Sequence, residues 1–275
     1  MSSTSFNSEP VDLFGVKTEI VSCGTGDTAF LFLHPERGLR GADAFLRALS
    51  EGGRVIAPYH PGFRFDAPNH FKSVDDLSYF YLDLMAALDL RGITVVGASL
   101  GGWLAMEIAS KSSARIASLC LLAPAGIKMS GRTERDMQDI FSLDDKAVEA
   151  LAFCDPAAAR ADAEAKDDAA LELAARAREA SARYAWLPYM HNPSLAHRLH
   201  RINVPALIVS GEQDRIISAE FGRRLAGKLP HGEFAGIAGC GHYPHIERAE
   251  TTARQVIGWR RRQAEAGVNT MKGVA

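Results

Sequence analysis

The sequence has little cysteine: Cys23, Cys120, Cys154 and Cys240 are its four, widely spaced and without a C-x-x-C pair. That offers no disulfide framework and points to reduced thiols and a cytoplasmic location. An excess of either charge is also missing. The 31 basic and 33 acidic residues leave a net charge of −2, too little to draw nucleic acid or an anionic membrane. The polar stretch 1–10 lacks a signal-peptide core. No apolar run is long enough to span a bilayer; the nearest, 93–109, is broken by Gly97, Ser99, Gly101, Gly102 and Glu107. Internal repeats and low-complexity segments are absent, and nothing fixes an oligomeric state.

What is present suits a globular enzyme-sized chain. At 275 residues, 47% hydrophobic and 23% charged, it fits one large α/β domain, or a core with an appended piece. Short strand candidates lie at 11–14 and 16–23. A continuous apolar strand follows at 28–33, and further strands at 54–58, 93–96, 117–122, 204–210 and 234–238. Helices are expected near 42–50, from the Ser73-x-x-Asp76 capping box to about Leu90, after Ser99, and near 218–228 and 247–263. Arg260–Arg262 is read as the end of the last helix, with a loose tail over the final dozen residues. Strands alternating with helices imply a mostly parallel sheet covered on both faces. From about Lys128 to Arg201 no good strand is found. Pro156 splits that Ala-, Glu- and Arg-rich stretch, and 157–184 is rich in helix formers; it reads as a helical cap over the sheet's C-terminal edge.

The stretch 93–106 organises the chain. An apolar β-branched run meets Gly97-Ala98-Ser99-Leu100-Gly101, and helical spacing resumes at Trp103, Leu104 and Met106. Such a strand–turn–helix lifts a serine hydroxyl above the sheet edge and opens a helix N-terminus beside it. Serine needs a base, and the base needs an orienting acid. His242 follows the last strand candidate, flanked by Gly241 and Tyr243. Asp214 follows the strand before it, with Glu212 as the second choice. The chain order Ser99, Asp214, His242 suits this elbow, and the Leu100 N–H is positioned to receive an oxyanion.

With these three segments in view, the chain resembles the α/β-hydrolase fold superfamily over roughly 10–128 and 200–265. The resemblance implies an eight-stranded sheet, with core residues 1–127 and 202–275 and a cap insertion at 128–201. It implies a second oxyanion N–H after the 28–33 strand; aligned on His34, that donor is Glu36, since Pro35 has no N–H. Here His34-Pro35 stands where His-Gly is usual. Tyr59-His60 stands where relatives often carry aspartate, and His60 is read as a plain loop histidine.

Other readings are weaker. Cys240 reads as a packing residue, and His197-x-x-His200 lacks a third ligand, so neither a metal nor any cofactor is expected. His34, Trp186 and Tyr243 are candidates to contact substrate; Trp186, Tyr189 and Met190 line a pocket or pack the cap. The expected activity is a serine hydrolase acting on small to medium carboxylic esters. The alternative is hydrolysis of carbon–carbon bonds in aromatic ring-cleavage products, whose enzymes typically have Trp where Tyr243 stands. Lactonases and thioesterases share the same apparatus. Dehalogenases and epoxide hydrolases of the superfamily use aspartate where Ser99 lies. A ligand-binding receptor on this fold is the non-enzymatic reading.

Overall fold

A computed structural model describes residues 5–131, 133–155 and 168–272. Eight strands form one sheet: β1 Asn7–Leu13, β2 Val16–Cys23, β3 Ala29–Leu33, β4 Arg54–Pro58, β5 Ile93–Ala98, β6 Ile116–Leu122, β7 Ala206–Gly211 and β8 Gly232–Ile237. Their spatial order is β1-β2-β4-β3-β5-β6-β7-β8. β1 and β2 run antiparallel to their neighbours, and the other pairings are parallel. The β1–β2 turn is tight: Phe14 and Gly15 both take positive φ, and Asp12 accepts the Gly15 N–H.

Among the described residues the helices are α1 Asp43–Ser50, α2 Val74–Ala87, α3 Leu100–Lys111, α4 Asp145–Ala152, α5 Asp168–Ala185, α6 Ala219–Ala226, α7 Pro244–Glu247 and α8 Ala249–Lys272. Ser73 caps α2 through the expected box with Asp76, and Ser218 caps α6. α2 and α3 cover one face of the sheet, and α1 and α8 the other. Every residue of β3 and β5 is buried, because helices lie on both sides. Strand alternation divides them: Leu31, Leu33 and Val95 enter the first core, while Phe30, Phe32 and Val96 enter the second, with Phe45 and Trp259.

The chain order reverses direction across the β3–β5 pair, so the loops leaving those two strands part to opposite faces and open a crevice at their C-terminal ends. Among the described residues between β6 and β7, helices α4 and α5 and two 3-10 turns replace sheet strands. The portion of the expected helical stretch at 156–167, Pro156 included, lies outside the described residues. α5 lies across the loops after β3 and β4: Tyr184 donates to the Pro61 carbonyl and Ser181 to the Glu36 carbonyl, each at 2.8 Å.

Two expectations at the C-terminus are corrected. The final helix continues to Lys272 instead of giving way to a tail, so Arg260–Arg262 lies inside it. The stretch is rich in helix-forming Arg, Gln, Glu and Ala, and propensity carries the helix on past the cluster. No helix among the described residues is long and apolar enough to cross a membrane.

Candidate active site

Ser99 sits between β5 and α3 with φ 47° and ψ −109°, a backbone conformation that non-glycine residues rarely adopt. The surroundings hold it there. Its N–H donates to the Leu122 carbonyl, and its own carbonyl accepts from Gly102, Trp103 and Ala125. Two glycines permit the crossing. A Cβ on Gly97 would meet the Gly101 carbonyl at 2.3 Å, and one on Gly101 would meet the Leu33 carbonyl at 2.0 Å. The close approach of α3 to β3 brings the loop after β3 beside the serine.

His242 follows β8. Its Nε2 lies 3.0 Å from Ser99 Oγ, and its Nδ1 lies 2.8 Å from Asp214 Oδ2. A carboxylate only accepts, so Nδ1 carries the proton and Nε2 is left to accept from the serine hydroxyl. Asp214 is itself fixed: its Oδ1 accepts the Ile216 and Ile217 N–H groups at 2.8 and 3.0 Å. The His242 and Asp214 side chains are fully buried. Burial opposes a charge on His242, but the Asp214 charge and hydrogen bond prevail. With Glu36 adding to them and Arg37 opposing, the imidazole is held above its ordinary pKa. Leu100, the first residue of α3, presents one of the N–H groups that a helix start leaves without an intrahelical acceptor. Glu212, the second choice for the acid, lies instead against Gly236 on the far side of the turn.

Glu36 lies on the loop between β3 and α1, and its side chain is buried. Tyr243 donates its hydroxyl to Glu36 Oε1, and the Tyr243 ring meets that of His242 edge-on at 4.9 Å. The Arg37 guanidinium stands over the same Tyr243 ring at 4.9 Å and over Phe153 at 5.3 Å.

Three residues sit elsewhere than expected. His34 does not present a nitrogen to substrate: Nδ1 donates to the Pro35 carbonyl at 2.7 Å, and Nε2 accepts the His60 N–H at 2.9 Å. His60 is no plain loop residue. It is buried, its ring stacked 3.7 Å from that of His34, with Nε2 donating to the His34 carbonyl and Nδ1 accepting from Tyr81. All four ring nitrogens are used by two neutral imidazoles, and burial drives the His34 pKa down to about 3 and that of His60 well below normal. This pair pins the loop that carries Pro35 and Glu36. Trp186 is 55% exposed and packs on Phe141, so it serves the packing of the cap and is largely open to solvent. Cys240 is buried, which pushes its thiol up to about 12 and leaves no reactive thiolate.

Glu247 went unrecognised. Its carboxylate accepts N–H groups from Cys154, Asp155 and Gly241, tying the end of α4 to the histidine loop. The His242 N–H adds a bond to the Ala152 carbonyl. An acid five residues beyond a loop histidine was the available signal.

The model of the alpha/beta hydrolase family matches residues 24–255. The chain is 41% identical over 58 residues to a 2-hydroxy-6-oxononadienedioate/2-hydroxy-6-oxononatrienedioate hydrolase of Paraburkholderia phymatum, a segment covering 21% of this chain and 20% of that protein. It is 26% identical over 266 residues to hydrolase 1 of the same name from Pseudomonas putida, covering 86% of this chain and 88% of the relative. A serine hydrolase from the polyaromatic-hydrocarbon-degrading bacterium Cycloclasticus zankles shares the fold at TM-score 0.76 and 16% identity, covering 94% of this chain and 98% of that one.

Proposed function

The chain belongs to the alpha/beta hydrolase family, and from that premise we propose that it is a serine hydrolase of small to medium carboxylic esters. The observation that carries the reading is the buried line Ser99–His242–Asp214, with contacts of 3.0 and 2.8 Å. His242 Nε2 takes the Ser99 proton as Oγ attacks the ester carbonyl, and Asp214 stabilises the imidazolium that forms. The Leu100 and Glu36 N–H groups receive the oxyanion. His242 then protonates the departing alcohol. In the second half it takes a proton from water, which attacks the acyl-enzyme and releases the acid. Residues 128–201 act as the cap that shapes the pocket and excludes bulk water from it. The active form needs neither metal nor cofactor.

A second reading has a specific support. The relative matched over most of this chain is named for a ring-cleavage-type dienedioate. The same serine, histidine and aspartate would then assist cleavage of a carbon–carbon bond next to a ketone, with Tyr243 in the place where tryptophan is usual in that group.

A p-nitrophenyl ester series and a chromogenic ring-cleavage product, assayed with the wild type and Ser99→Ala, separate the two. The ester reading expects turnover of short acyl chains that Ser99→Ala abolishes. Turnover of the ring-cleavage product alone favours the second reading. A folded protein inert to both overturns the hydrolase assignment, and a preference for long-chain triglycerides overturns the short-chain expectation.

A further inference from the structure

Glu36 is the least expected side chain in this site. A carboxyl group stands on the loop that supplies an oxyanion donor, where added negative charge works against the developing oxyanion. It is 8% exposed, so water does not solvate it freely. Its two oxygens differ. Oε1 accepts the Tyr243 hydroxyl, while Oε2 is buried with no hydrogen-bond partner. An unpaired buried carboxyl oxygen costs free energy, and Ser181 ties the Glu36 backbone carbonyl to α5 while Tyr243 holds the other carboxyl oxygen. Tyr243 connects the group directly to the histidine loop, with its ring 4.9 Å from the His242 ring. The carboxyl is thus linked through one tyrosine to the histidine loop, its charge acts on His242, and its second oxygen lacks a donor.

We propose that Glu36 is a specificity-determining residue whose Oε2 receives a hydroxyl group carried on the acyl part of the substrate. The charge pattern selects hydroxyl over ammonium. Arg37 holds its guanidinium 4.9 Å from the ring of the same Tyr243, and a second cation there would be repelled. A neutral donor satisfies the carboxyl oxygen without that conflict. This inference rests on Ser99 being the hydrolytic centre, and it deepens that reading from esters in general to hydroxylated acyl groups.

The test compares matched phenyl esters: 2- and 3-hydroxybutanoate against their methoxy twins, which keep the oxygen and lose the donor. Binding is measured by calorimetry on the full chain carrying Ser99→Ala, so affinity does not depend on turnover. A hydroxylated ester should bind about tenfold or more tightly than its twin, as expected for a hydrogen bond to a buried carboxyl. Adding Glu36→Leu should bring the ratio to about one, whereas adding Tyr243→Phe should leave it standing. A purely structural Glu36 would shift both twins together and leave the ratio unmoved. Equal or absent binding of the twins to Ser99→Ala overturns the proposal, as does an advantage that survives Glu36→Leu. Should Glu36→Leu fail to fold, Ser99→Ala/Glu36→Gln decides: the amide oxygen keeps the Tyr243 bond, the NH2 replaces Oε2 with a donor, and the hydroxyl advantage should be lost, whereas its survival overturns the proposal. Turnover of phenyl butanoate by the wild type is read separately. Hydroxyl preference without turnover sinks the hydrolase reading alone, and turnover without preference sinks the Glu36 role alone.

Discussion

Replacing Asp214 by asparagine changes one atom of the site and inverts the hydrogen-bond polarity of His242. The asparagine carbonyl can keep the bonds that Oδ1 makes to the Ile216 and Ile217 N–H groups. The amide nitrogen then faces His242 Nδ1 across the 2.8 Å contact and donates to it. Nδ1 becomes an acceptor, the ring proton moves to Nε2, and Nε2 meets Ser99 Oγ as a donor that cannot take its proton. The loss in kcat should be about 10^4-fold, or roughly 5.4 kcal/mol of barrier. The pH profile moves as well. In the wild type, burial disfavours the imidazolium but Asp214 more than offsets it, so the His242 pKa lies above its ordinary 6.5. Activity needs the neutral base and so rises with pH through that raised value. Without the carboxylate, burial dominates and the acid limb of the residual kcat/KM shifts to lower pH. Stopped-flow and steady-state kinetics on p-nitrophenyl acetate between pH 5 and 9 measure both effects, with circular dichroism confirming the fold. A loss below tenfold, or an unmoved acid limb, would refute the assignment of His242 as base and Asp214 as its partner.

Acid should unfold the protein earlier than carboxylate titration alone would. Burial depresses His34, His60 and His245 below 6.5, with His34 and His245 at about 3, so stability is full above 6.5 and is lost as pH falls toward those values. Three such groups give about 4 kcal/mol per pH unit, and urea melts showing a flat ΔG from pH 7 to 5 would contradict this. Gly101→Ala puts a Cβ 2.0 Å from the Leu33 carbonyl and 2.7 Å from that of His34. It should cost about 3 kcal/mol or more and abolish activity, and a melting temperature within a degree of wild type would disprove the close approach. His245→Leu removes an imidazole whose two nitrogens are buried without partners among Phe32, Phe45 and Tyr243. A gain of about 1 kcal/mol, read as a rise of about 2–4 °C in Tm, is expected; a fall would mean that the ring is satisfied by water.

The parts of this molecule that could be read from residues in order are those decided locally. β3 announces itself as an unbroken apolar run, because a strand covered on both faces is apolar on both, and β5 differs only in Thr94, whose hydroxyl is matched by Ser118. The three loops that bring Ser99, Asp214 and His242 together each end a strand, and parallel strands put those ends on one rim. What escaped was set by contacts between distant segments. His34 and His60 are separated by 26 positions and become a stack only because β3 and β4 lie side by side. Nothing in Tyr59-His60-Pro61-Gly62 declares that the ring turns inward to Tyr81. Trp186 has the composition of a pocket wall, but its side chain turns to Phe141 and solvent. Glu247 opens the helix expected near 247–263 with nothing in its neighbours to mark it, and its work of holding three N–H groups depends on where α4 ends. The last helix outran its expected stop because good helix formers continue beyond Arg262.

The central claim is that Ser99 is an activated nucleophile. Its most direct test is labelling with a fluorophosphonate, followed by intact-mass and peptide mass spectrometry. The account predicts one adduct per chain, located on Ser99, lost in Ser99→Ala and strongly slowed in Asp214→Asn. A folded wild-type protein that takes no label, or takes it on another residue, would contradict it.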